Sequence, residues 1–482
     1  MRIGPWMVMS MLLLPAGPPK ENPWLTKVGP AVEKARRAGT VKAFREALDV
    51  AWRADDWQAG LRLAREAAEK HGNARPLHGL VTRALWRAGL VAEAEQVLTK
   101  LPDQTDDRIG LMMLVQVHLA RGEPQRAIEA ADRLAAFKPA TAEELFAVAS
   151  ARLATNRLNG IAALIRRAQK LTDPANGYPE TVLGDQIAGL AEFFDAVGSE
   201  PINRTASYGE AAMPVVPLIN LPGCEALING RGPYRLIVDT GGSVTLSLDD
   251  EVAAEIGLKS VAQSNIHGVS GRMESGQALV NELKIGTISC RRVLTRIFGV
   301  RKAIAYAADG ILGTGLLADG RMTLDFQHGR LIVKPSSGEA AAGQPADIRL
   351  VGDAKIVALV TLQGEPAAAL LDSGADALAL APSRLKRIFP DRTITALPLL
   401  ALGVGSEQRP SVALSPGVDF VLAGRKFENY GGLGLDVLDT LLGPLLGMQT
   451  DLLVGMAVMR DMKTLTIDYP RARMWVEWLA RD

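Results

Sequence analysis

Two passages of this chain are so alike that they limit its fold more than any other feature of its 482 residues. In the first, an apolar run leads into Asp239-Thr240-Gly241, and in the second a similar run leads into Asp372-Ser373-Gly374. Another strand-like run follows each triplet. Because glycine permits sharp turns that other residues resist, each passage predicts a strand, a tight turn and a second strand.

The likeness of the two passages continues downstream in the same order. Each copy next has a glycine-rich turn, Gly268-Val269-Ser270-Gly271 in the first and 403–405 in the second. An apolar-apolar-Gly motif follows, Ile311-Leu312-Gly313 and Leu453-Val454-Gly455, and then come related segments at 322–333 and 465–476. One β unit of about 130 residues therefore occurs twice, with a linker rich in Pro, Gly and Ala between the copies.

The first third of the chain has a different, helical repeat. Related tetrapeptides recur every 33 or 34 residues, at 52–55, 86–89, 119–122 and 153–156, and each is expected to close one helix and turn into the next. The pattern resembles the tetratricopeptide repeat (TPR) family. That resemblance implies a solenoid of stacked helix pairs, which often binds extended peptides or partner proteins. The alternative is an array that only shields or spaces the β units.

Composition narrows the chemistry that the β units can perform. Lys and Arg number 54 against 53 Asp and Glu, a net charge of +1, so no overall field draws the chain to nucleic acid. With two Cys and five His, a metal centre built from thiolates or imidazoles is not expected. We therefore predict no metal and no cofactor, and expect carboxylates, hydroxyls or backbone groups to carry any reaction.

The ordered set of Asp-hydroxyl-Gly turns and apolar-apolar-Gly motifs resembles the retropepsin and pepsin-like aspartic proteases. The resemblance extends over residues 210–482 and implies an all-β bilobal fold, with two retropepsin-like β-barrel lobes fused in one chain. It implies that Asp239 and Asp372 are the catalytic pair, one from each lobe. It further implies that neighbouring residues support the active-site loops, namely Thr240, Gly241, Ser373 and Gly374 in the turns, and 311–313 and 453–455 beneath them. Residues 268–271 would form a flap.

The sequence departs from the family pattern after both apolar-apolar-Gly motifs. Thr314 and Met456 stand where retropepsins usually have an arginine, which puts the ion network that joins their lobes in doubt. The turn at 268–271 also lacks the flap tyrosine of pepsin-type enzymes. Fused lobes have less need of an ion network, and flap closure would then depend on backbone and glycine mobility.

Paired carboxylates suit the hydrolysis of an amide by a water nucleophile. The reaction needs a base to deprotonate the water and an acid to protonate the carbonyl oxygen or the leaving amine. Two carboxyls a few ångströms apart supply both, because like charges disfavour double ionisation and the pair then holds one proton. The alternative is that Asp239 and Asp372 are only turn residues in an inactive scaffold that binds peptides.

The N-terminus predicts export. Residues 1–19 combine Arg2, a short apolar run and then small and helix-breaking residues, which is the layout of a secretory signal peptide. The run is too short to cross a bilayer, so no membrane span is expected. We expect a periplasmic or secreted protein, with a buried N-terminal segment of a cytoplasmic protein as the alternative. A disulfide between Cys224 and Cys290 would suit export, and two buried thiols are the other possibility.

These expectations combine into a multidomain chain with an all-α, TPR-like N-terminal solenoid and an all-β bilobal protease fold. The expected divisions are a signal peptide at 1–19, the helical array at 20–200, the first lobe at 201–340 and the second lobe at 341–482. The expected function is that of an aspartic endopeptidase acting on a protein or peptide substrate, with the array binding the substrate or a partner protein.

Overall fold

The computed structural model describes residues 24–480, apart from 73, 75–76, 102–105, 138–140, 173–186, 188, 243–244, 269–270, 353, 393–394 and 401–410. The expected signal peptide at 1–19 and the second glycine-rich turn at 403–405 therefore lie outside the described residues.

The N-terminal part of the described chain is helical, which confirms the expectation of an α-helical region there. Its helices are α1 Leu25–Ala38, α2 Val41–Arg53, α3 Trp57–His71, α4 His78–Arg87, α5 Val91–Leu98, α6 Arg108–Ala120, α7 Pro124–Ala136, α8 Ala142–Ala154, α9 Ile161–Lys170 and α10 Leu190–Val197. Neighbouring helices in sequence pack together, and α4 also packs on α6 and α6 on α8. Small and apolar residues fill the space between them.

The turns of the helical repeat share one backbone conformation. Asp55, Gly89, Gly122 and Asn156 hold the last position of the four related tetrapeptides, and their φ angles are 51°, 76°, 66° and 52°. This left-handed region suits Gly, Asn and Asp, and other residues rarely adopt it. The recurring tetrapeptide is therefore a repeated helix-ending turn.

The rest of the described chain is mostly β structure. Its strands are β1 Arg204–Ser207, β2 Gly209–Ala212, β3 Val215–Val216, β4 Leu221–Ile228, β5 Arg231–Asp239, β6 Leu246–Leu248, β7 Ala262–Gly268, β8 Gly271–Ile285, β9 Ile288–Ile297, β10 Gly310–Gly313, β11 Arg321–Asp325, β12 Arg330–Lys334, β13 Gln344–Val351, β14 Lys355–Leu362, β15 Glu365–Leu371, β16 Leu378–Leu380, β17 Thr395–Leu400, β18 Ser411–Leu422, β19 Arg425–Leu435, β20 Leu452–Val454, β21 Met462–Asp468 and β22 Arg473–Trp478. Short helices interrupt them, namely α11 Asp250–Glu255, α12 Val300–Ala303, α13 Pro382–Ile388, α14 Gly443–Leu446 and α15 Met456–Met459.

The described strands form two sheets. A nine-stranded sheet has the order β1-β9-β6-β10-β5-β4-β8-β7, with β3 paired to β4. A thirteen-stranded sheet has the order β17-β18-β19-β16-β20-β15-β14-β13-β22-β21-β11-β12-β2. We call residues 201–340 the first β unit and residues 341–482 the second. The larger sheet thus contains three strands of the first β unit.

The repeat in the sequence corresponds to a repeat in strand pairing. In the first β unit, β10 lies parallel to β5 and antiparallel to β6, and β4 pairs with the other edge of β5. In the second, β20 lies parallel to β15 and antiparallel to β16, and β14 pairs with the other edge of β15. The same four-stranded arrangement therefore carries both Asp-hydroxyl-Gly turns.

One strand pair joins the two β units across a local two-fold axis. Strands β11 and β21 are antiparallel, and Thr323 lies opposite Thr466, with their hydroxyl oxygens 2.9 Å apart. These two threonines occupy equivalent positions of the repeated segments 322–333 and 465–476. Beside them Arg321 donates to the buried carboxylate of Asp468 at 3.1 Å. The units therefore share a continuous sheet and core.

The turn edge of the helical array packs against the second β unit. The backbone N–H of Gln449 donates to the carbonyl of Arg87 at 2.8 Å, next to Gly89. Arg349 on β13 donates two hydrogen bonds to the Glu95 carboxylate, at 2.7 and 2.8 Å. One apolar cluster continues from the array into the second unit. The array is thus attached to the β structure along its side.

The two cysteines are buried free thiols, so the possible disulfide between Cys224 and Cys290 is absent. Cys224 lies on β4 and Cys290 on β9, and β8 runs between these strands. The two cysteines are therefore about two strand spacings apart, each of about 4.8 Å. This separation exceeds the Cα–Cα distance of about 4.4–6.8 Å that a disulfide can bridge. Burial raises the pKa of both thiols to about 12, so they remain protonated.

Candidate active site

Two buried strands bring Asp239 and Asp372 to the junction of the two β units. Asp239 is the last residue of β5, and Asp372 directly follows β15. The residues before each aspartate are apolar and buried, as expected for strands with neighbours on both edges. Both strands therefore end at the same place, and each delivers a carboxyl there.

Four hydrogen bonds lock the two turns to each other. The Thr240 hydroxyl donates to the Leu371 carbonyl at 2.9 Å and accepts from the Ser373 N–H at 2.9 Å. In the same way the Ser373 hydroxyl donates to the Val238 carbonyl at 2.7 Å and accepts from the Thr240 N–H at 3.0 Å. Both side chains are buried, so the bonds are shielded from water. The structure thus brings Thr240 and Ser373 together across the two units.

Backbone N–H groups of the turns point at the carboxylates. Gly241 and Gly242 each donate to Oδ1 of Asp239 at 2.8 Å, and Gly374 donates to Oδ1 of Asp372 at 2.9 Å. These bonds fix the orientation of each carboxyl. They also stabilise negative charge, and Asp239 receives one more of them than Asp372 does.

The glycines make close approach of the two carboxyls possible. A Cβ added to Gly241 would lie 2.5 Å from the carboxyl carbon of Asp372, and one added to Gly374 would lie 2.7 Å from the carboxyl carbon of Asp239. The two carboxyls interact directly, and each contributes to the shifted pKa of the other. Any side chain at either glycine would therefore occupy the space of the opposite carboxyl.

The environment raises the pKa of both carboxyls, and most strongly that of Asp372. Part of each residue remains accessible to solvent, but the surrounding protein removes most of the water that would stabilise a charge. This desolvation raises the pKa of Asp239 and Asp372, and the charge of Asp239 raises the pKa of Asp372 further. Both directions favour a pair that holds one proton between its two carboxyls.

The apolar-apolar-Gly motifs lie beside the two turns. Residues 311–313 belong to β10, where Gly313 pairs with Asp239. On the other side, residues 453–454 belong to β20, and the Asp372 N–H donates to the Val454 carbonyl at 3.0 Å. Gly455 follows β20 and donates to the Ala377 carbonyl at 3.1 Å. Both motifs thus contact the strand or turn that carries an aspartate.

Of the expected flap, the structure describes only the two ends. Strands β7 and β8 form a hairpin in which Gly268 pairs with Gly271, while Val269 and Ser270 lie outside the described residues. In the second unit, β17 and β18 also pair antiparallel and enclose residues 401–410. Each unit therefore has one such hairpin at the expected point of its sequence.

Two further contacts near the aspartates were not expected from the sequence. The hydroxyl oxygens of Thr314 and Tyr469 lie 2.7 Å apart and are buried, and the charge of Asp239 contributes to the raised pKa of Tyr469. Arg460 pairs with Asp376 and also donates to the Asn220 carbonyl at 3.1 Å. Both contacts join the two units. The only sign in the sequence was Thr314, which stands where retropepsins usually have an arginine. Here its hydrogen bond to Tyr469 joins the two units at that position.

Within the described part of the chain, no group of three or more His, Cys, Asp or Glu side chains is arranged to hold a metal ion. No helix among the described residues is both long and apolar enough to cross a membrane.

Comparison with known proteins shows a similarity within the first β unit. Residues 224–317, which include Asp239 and β10, match the model of a family described as aspartyl protease. None of the curated proteins compared with the chain matches it.

Three solved structures are similar to part of the chain. A retropepsin-like aspartic protease from Rickettsia conorii is 19% identical, with a TM-score of 0.20, over 27% of this chain and 93% of its own. The retroviral protease-like domain of Ddi1 from Leishmania major is 17% identical, with a TM-score of 0.19, over 26% and 94% of the two chains. EIAV protease complexed with the inhibitor HBY-793 is 18% identical, with a TM-score of 0.16, over 22% and 86%.

The resemblance that the Asp239-Thr240-Gly241 turn predicted is confirmed by the similarity of residues 224–317 to the aspartyl protease family.

Proposed function

We propose that the protein is an aspartic endopeptidase that hydrolyses peptide bonds with a water activated between Asp239 and Asp372. The observation that carries the proposal is the pair of adjacent carboxyls, each lying against the opposite turn, held by two symmetric turns that are locked together through Thr240 and Ser373. The match of residues 224–317 to the aspartyl protease family supports the same reaction.

In this proposal the two aspartates have different roles at the start of the reaction. The ionised Asp239 takes a proton from the water as the water oxygen attacks the peptide carbonyl carbon. The protonated Asp372 gives its proton to the carbonyl oxygen. On collapse of the resulting gem-diol the C–N bond breaks, Asp239 gives its proton to the leaving amine nitrogen, and one diol hydroxyl returns its proton to Asp372 as the carboxylic acid product forms. The pair then again holds a single proton, so the cycle is balanced.

The organisation expected from the sequence remains part of the proposal. We assign residues 201–340 and 341–482 to two lobes of one protease and residues 20–200 to a TPR-like domain. The repeated strand pairing around the two turns supports the assignment of two equivalent lobes. The hairpins β7–β8 and β17–β18 are the candidate flaps, one in each lobe.

Substitution of either aspartate tests the proposed reaction. The variants Asp239→Asn and Asp372→Asn should lose at least about 1,000-fold in kcat/KM, since each removes the base or the acid. A matched control is Asp391→Asn, which changes an exposed aspartate of the second unit. Cleavage of a mixed peptide library, followed by mass spectrometry with and without a statine-type inhibitor, measures the activity. Full cleavage by both folded dyad variants would refute the proposal.

The alternative is an inactive module that binds peptides between the β units. A splayed pair of carboxyls would favour it, whereas hydrogen-bonded carboxyls favour the enzyme. A wild-type protein that binds peptides from the library and leaves every one of them uncleaved would establish the alternative.

We further propose that the array binds an extended segment of the protein substrate. The supporting observation is a groove lined by α2, α3 and α4 in which Arg83 stacks on Trp52, 4.2 Å from the ring centre. Arg83 is only 8% exposed, and its Nη2 has no hydrogen-bond partner among the described residues. The nearest carboxylate, that of Asp49, lies 4.0 Å away. A carbonyl or carboxylate of a bound peptide would satisfy this donor.

A comparison of long and short substrates tests the role of the array. The variant Arg83→Met keeps an unbranched apolar side chain and removes the guanidinium donor, so it should lower kcat/KM for an unfolded protein substrate by about 5- to 10-fold. It should leave the cleavage of a short peptide unchanged. The control Arg65→Met removes an exposed arginine of the same array. Equal effects of Arg83→Met on both substrates would contradict the role.

We also propose that the protein acts in the periplasm or outside the cell. The signal-peptide layout of residues 1–19 supports export. A shortened N-terminus, found by sequencing the protein from the exported fraction, would agree with it, and an intact Met1 in a cytoplasmic fraction would refute it.

A further inference from the structure

The strands next to the two aspartates differ at one decisive position. In the second unit the last pair between β14 and β15 is Val357 with Leu370, and this register, continued by two residues to just past the end of β15, places Lys355 opposite Asp372. In the first unit Gly223 of β4 pairs with Ile237 of β5, which places Leu221 opposite Asp239. The two units therefore have the same strand pairing at this place but differ in the charge of the residue beside the aspartate.

The register also decides which way these side chains point. Residues directly opposite each other on antiparallel strands project from the same face, with Cβ atoms about 4.5–5.5 Å apart. In the continued register Lys355 therefore shares a face with Asp372, and its charge acts on both carboxyls. Lys355 is half-buried, whereas Leu221 is buried at 7% exposure. A cation stands beside one carboxyl, and an apolar side chain beside the other.

The charge of Lys355 acts on both members of the pair. It lowers the pKa of Asp239 and of Asp372, against the stronger effect of desolvation, which raises both. Among the described residues, two further groups with contacts near the turns are the Tyr469 hydroxyl, which is bonded to Thr314, and the ion pair of Arg460 with Asp376. Tyr469 is held neutral by burial, and the ion pair is balanced in charge.

We propose that Lys355 is a positioning residue that stabilises the single negative charge of the aspartate pair. This inference rests on the proposed function, since it concerns the charge state in which that reaction starts. A buried pair with one proton still carries a net charge of −1, and a half-buried cation on the same face offsets part of its desolvation. Leu221 cannot do so, and one lysine therefore serves both carboxyls.

The pH dependence of cleavage tests the inference. In Lys355→Leu, which copies the residue of the first unit, both limbs of the bell-shaped kcat/KM profile should move to higher pH by about 0.5 to 1 unit. The charge-preserving control Lys355→Arg should keep the profile in place. A purely structural role would lower the height of the bell in both variants without moving it.

A second measurement separates this inference from the proposed function. The ¹³C shifts of labelled aspartate carboxyls report the titration of the pair without turnover, and Asp239→Asn and Asp372→Asn identify the signals. An inactive protein whose pair titrates at higher pH in Lys355→Leu would refute the peptidase and support the role of Lys355. An active protein with an unmoved profile and unmoved titration in Lys355→Leu would overturn the role of Lys355 alone.

Discussion

At the scale of single residues, small size matters as much as chemistry at the junction of the two units. Thr240 and Ser373 form their four cross-bonds because each hydroxyl both donates and accepts. Gly241 and Gly374 leave the room in which the opposite carboxyl lies. The hydroxyls hold the two turns in register, and the glycines let the carboxyls meet.

Adding one methyl group should therefore disable the site while the fold persists. In Gly241→Ala or Gly374→Ala the new Cβ would lie 2.5 or 2.7 Å from the opposite carboxyl carbon, so that carboxyl must move. A displacement of about 1 Å at reacting groups costs about 100-fold in rate, and we expect at least that loss in kcat/KM.

The control for this prediction is Gly431→Ala. Gly431 is exposed in the second unit and has open space around the position of an added Cβ. Its variant should keep wild-type kcat/KM. Circular dichroism would check that all three variants remain folded, and wild-type activity in Gly241→Ala would show that the two carboxyls need not be so close.

At the scale of secondary-structure elements, the sequence predicted much of the arrangement around the site. The apolar run, the Asp-hydroxyl-Gly triplet and the apolar-apolar-Gly motif recur in order, and they correspond to β5 with β10 and to β15 with β20. Such local patterns can be recognised in a sequence because a buried strand needs a continuous apolar run and a sharp turn needs glycine.

What could not be predicted depends on contacts between distant segments. Lys355 is brought near Asp372 only by the pairing of β14 with β15, and no local pattern in the sequence marks it. The sequence showed the repeat of the helical turns at Asp55, Gly89, Gly122 and Asn156. It did not show that the second unit packs against the turn at Gly89. The sequence around the two cysteines also gave no local sign of whether they form a disulfide or remain free thiols.

The ion pair between Arg349 and Glu95 gives a prediction about how the array is attached. Both side chains are 15% exposed, so removal of either leaves the other poorly solvated. We expect Arg349→Met and Glu95→Gln each to lower the Tm by about 2 to 4 °C. The double variant should lose less than the sum of the two, because no unpaired charge remains between these positions.

The control for the ion pair is the exposed pair of Lys34 with Glu46 on α1 and α2. Neutralising Lys34 should change the Tm by much less, since exposed ion pairs contribute little. Differential scanning fluorimetry would measure all variants at one pH. Strictly additive losses for Arg349→Met and Glu95→Gln would show that the pair does not couple the array to β13.

At the scale of the whole molecule, the two units and the array share cores and sheets. Strands β11 and β21 join the units, and one apolar cluster extends from the array into the second unit. A change of charge at the junction should therefore alter the free energy of unfolding of the whole protein. The raised pKa of Asp372 should accordingly appear in the stability of the whole protein.

The sign of this effect follows from where the proton is bound. Below the ordinary carboxyl pKa near 3.8, Asp372 is protonated in both the folded and the unfolded chain, so its ionisation contributes no difference. As the pH rises above that value, the unfolded chain releases the proton and the folded chain retains it. The unfolded state is thereby favoured, and stability is lost progressively until the pH passes the raised pKa of the folded protein.

The variant Asp372→Asn removes this loss, because an amide does not ionise in either state. Relative to wild type, it should therefore be more stable at pH 7 than at pH 3.5, by a shift in the Tm difference of about 2 to 4 °C. Asp391→Asn, in which an exposed carboxyl is neutralised, should show no such change between the two pH values. Scanning calorimetry of the three proteins would measure it. An equal Tm difference for Asp372→Asn at both pH values would mean that Asp372 ionises as readily in the folded protein as in water, and the carboxyl pair would then not share a proton.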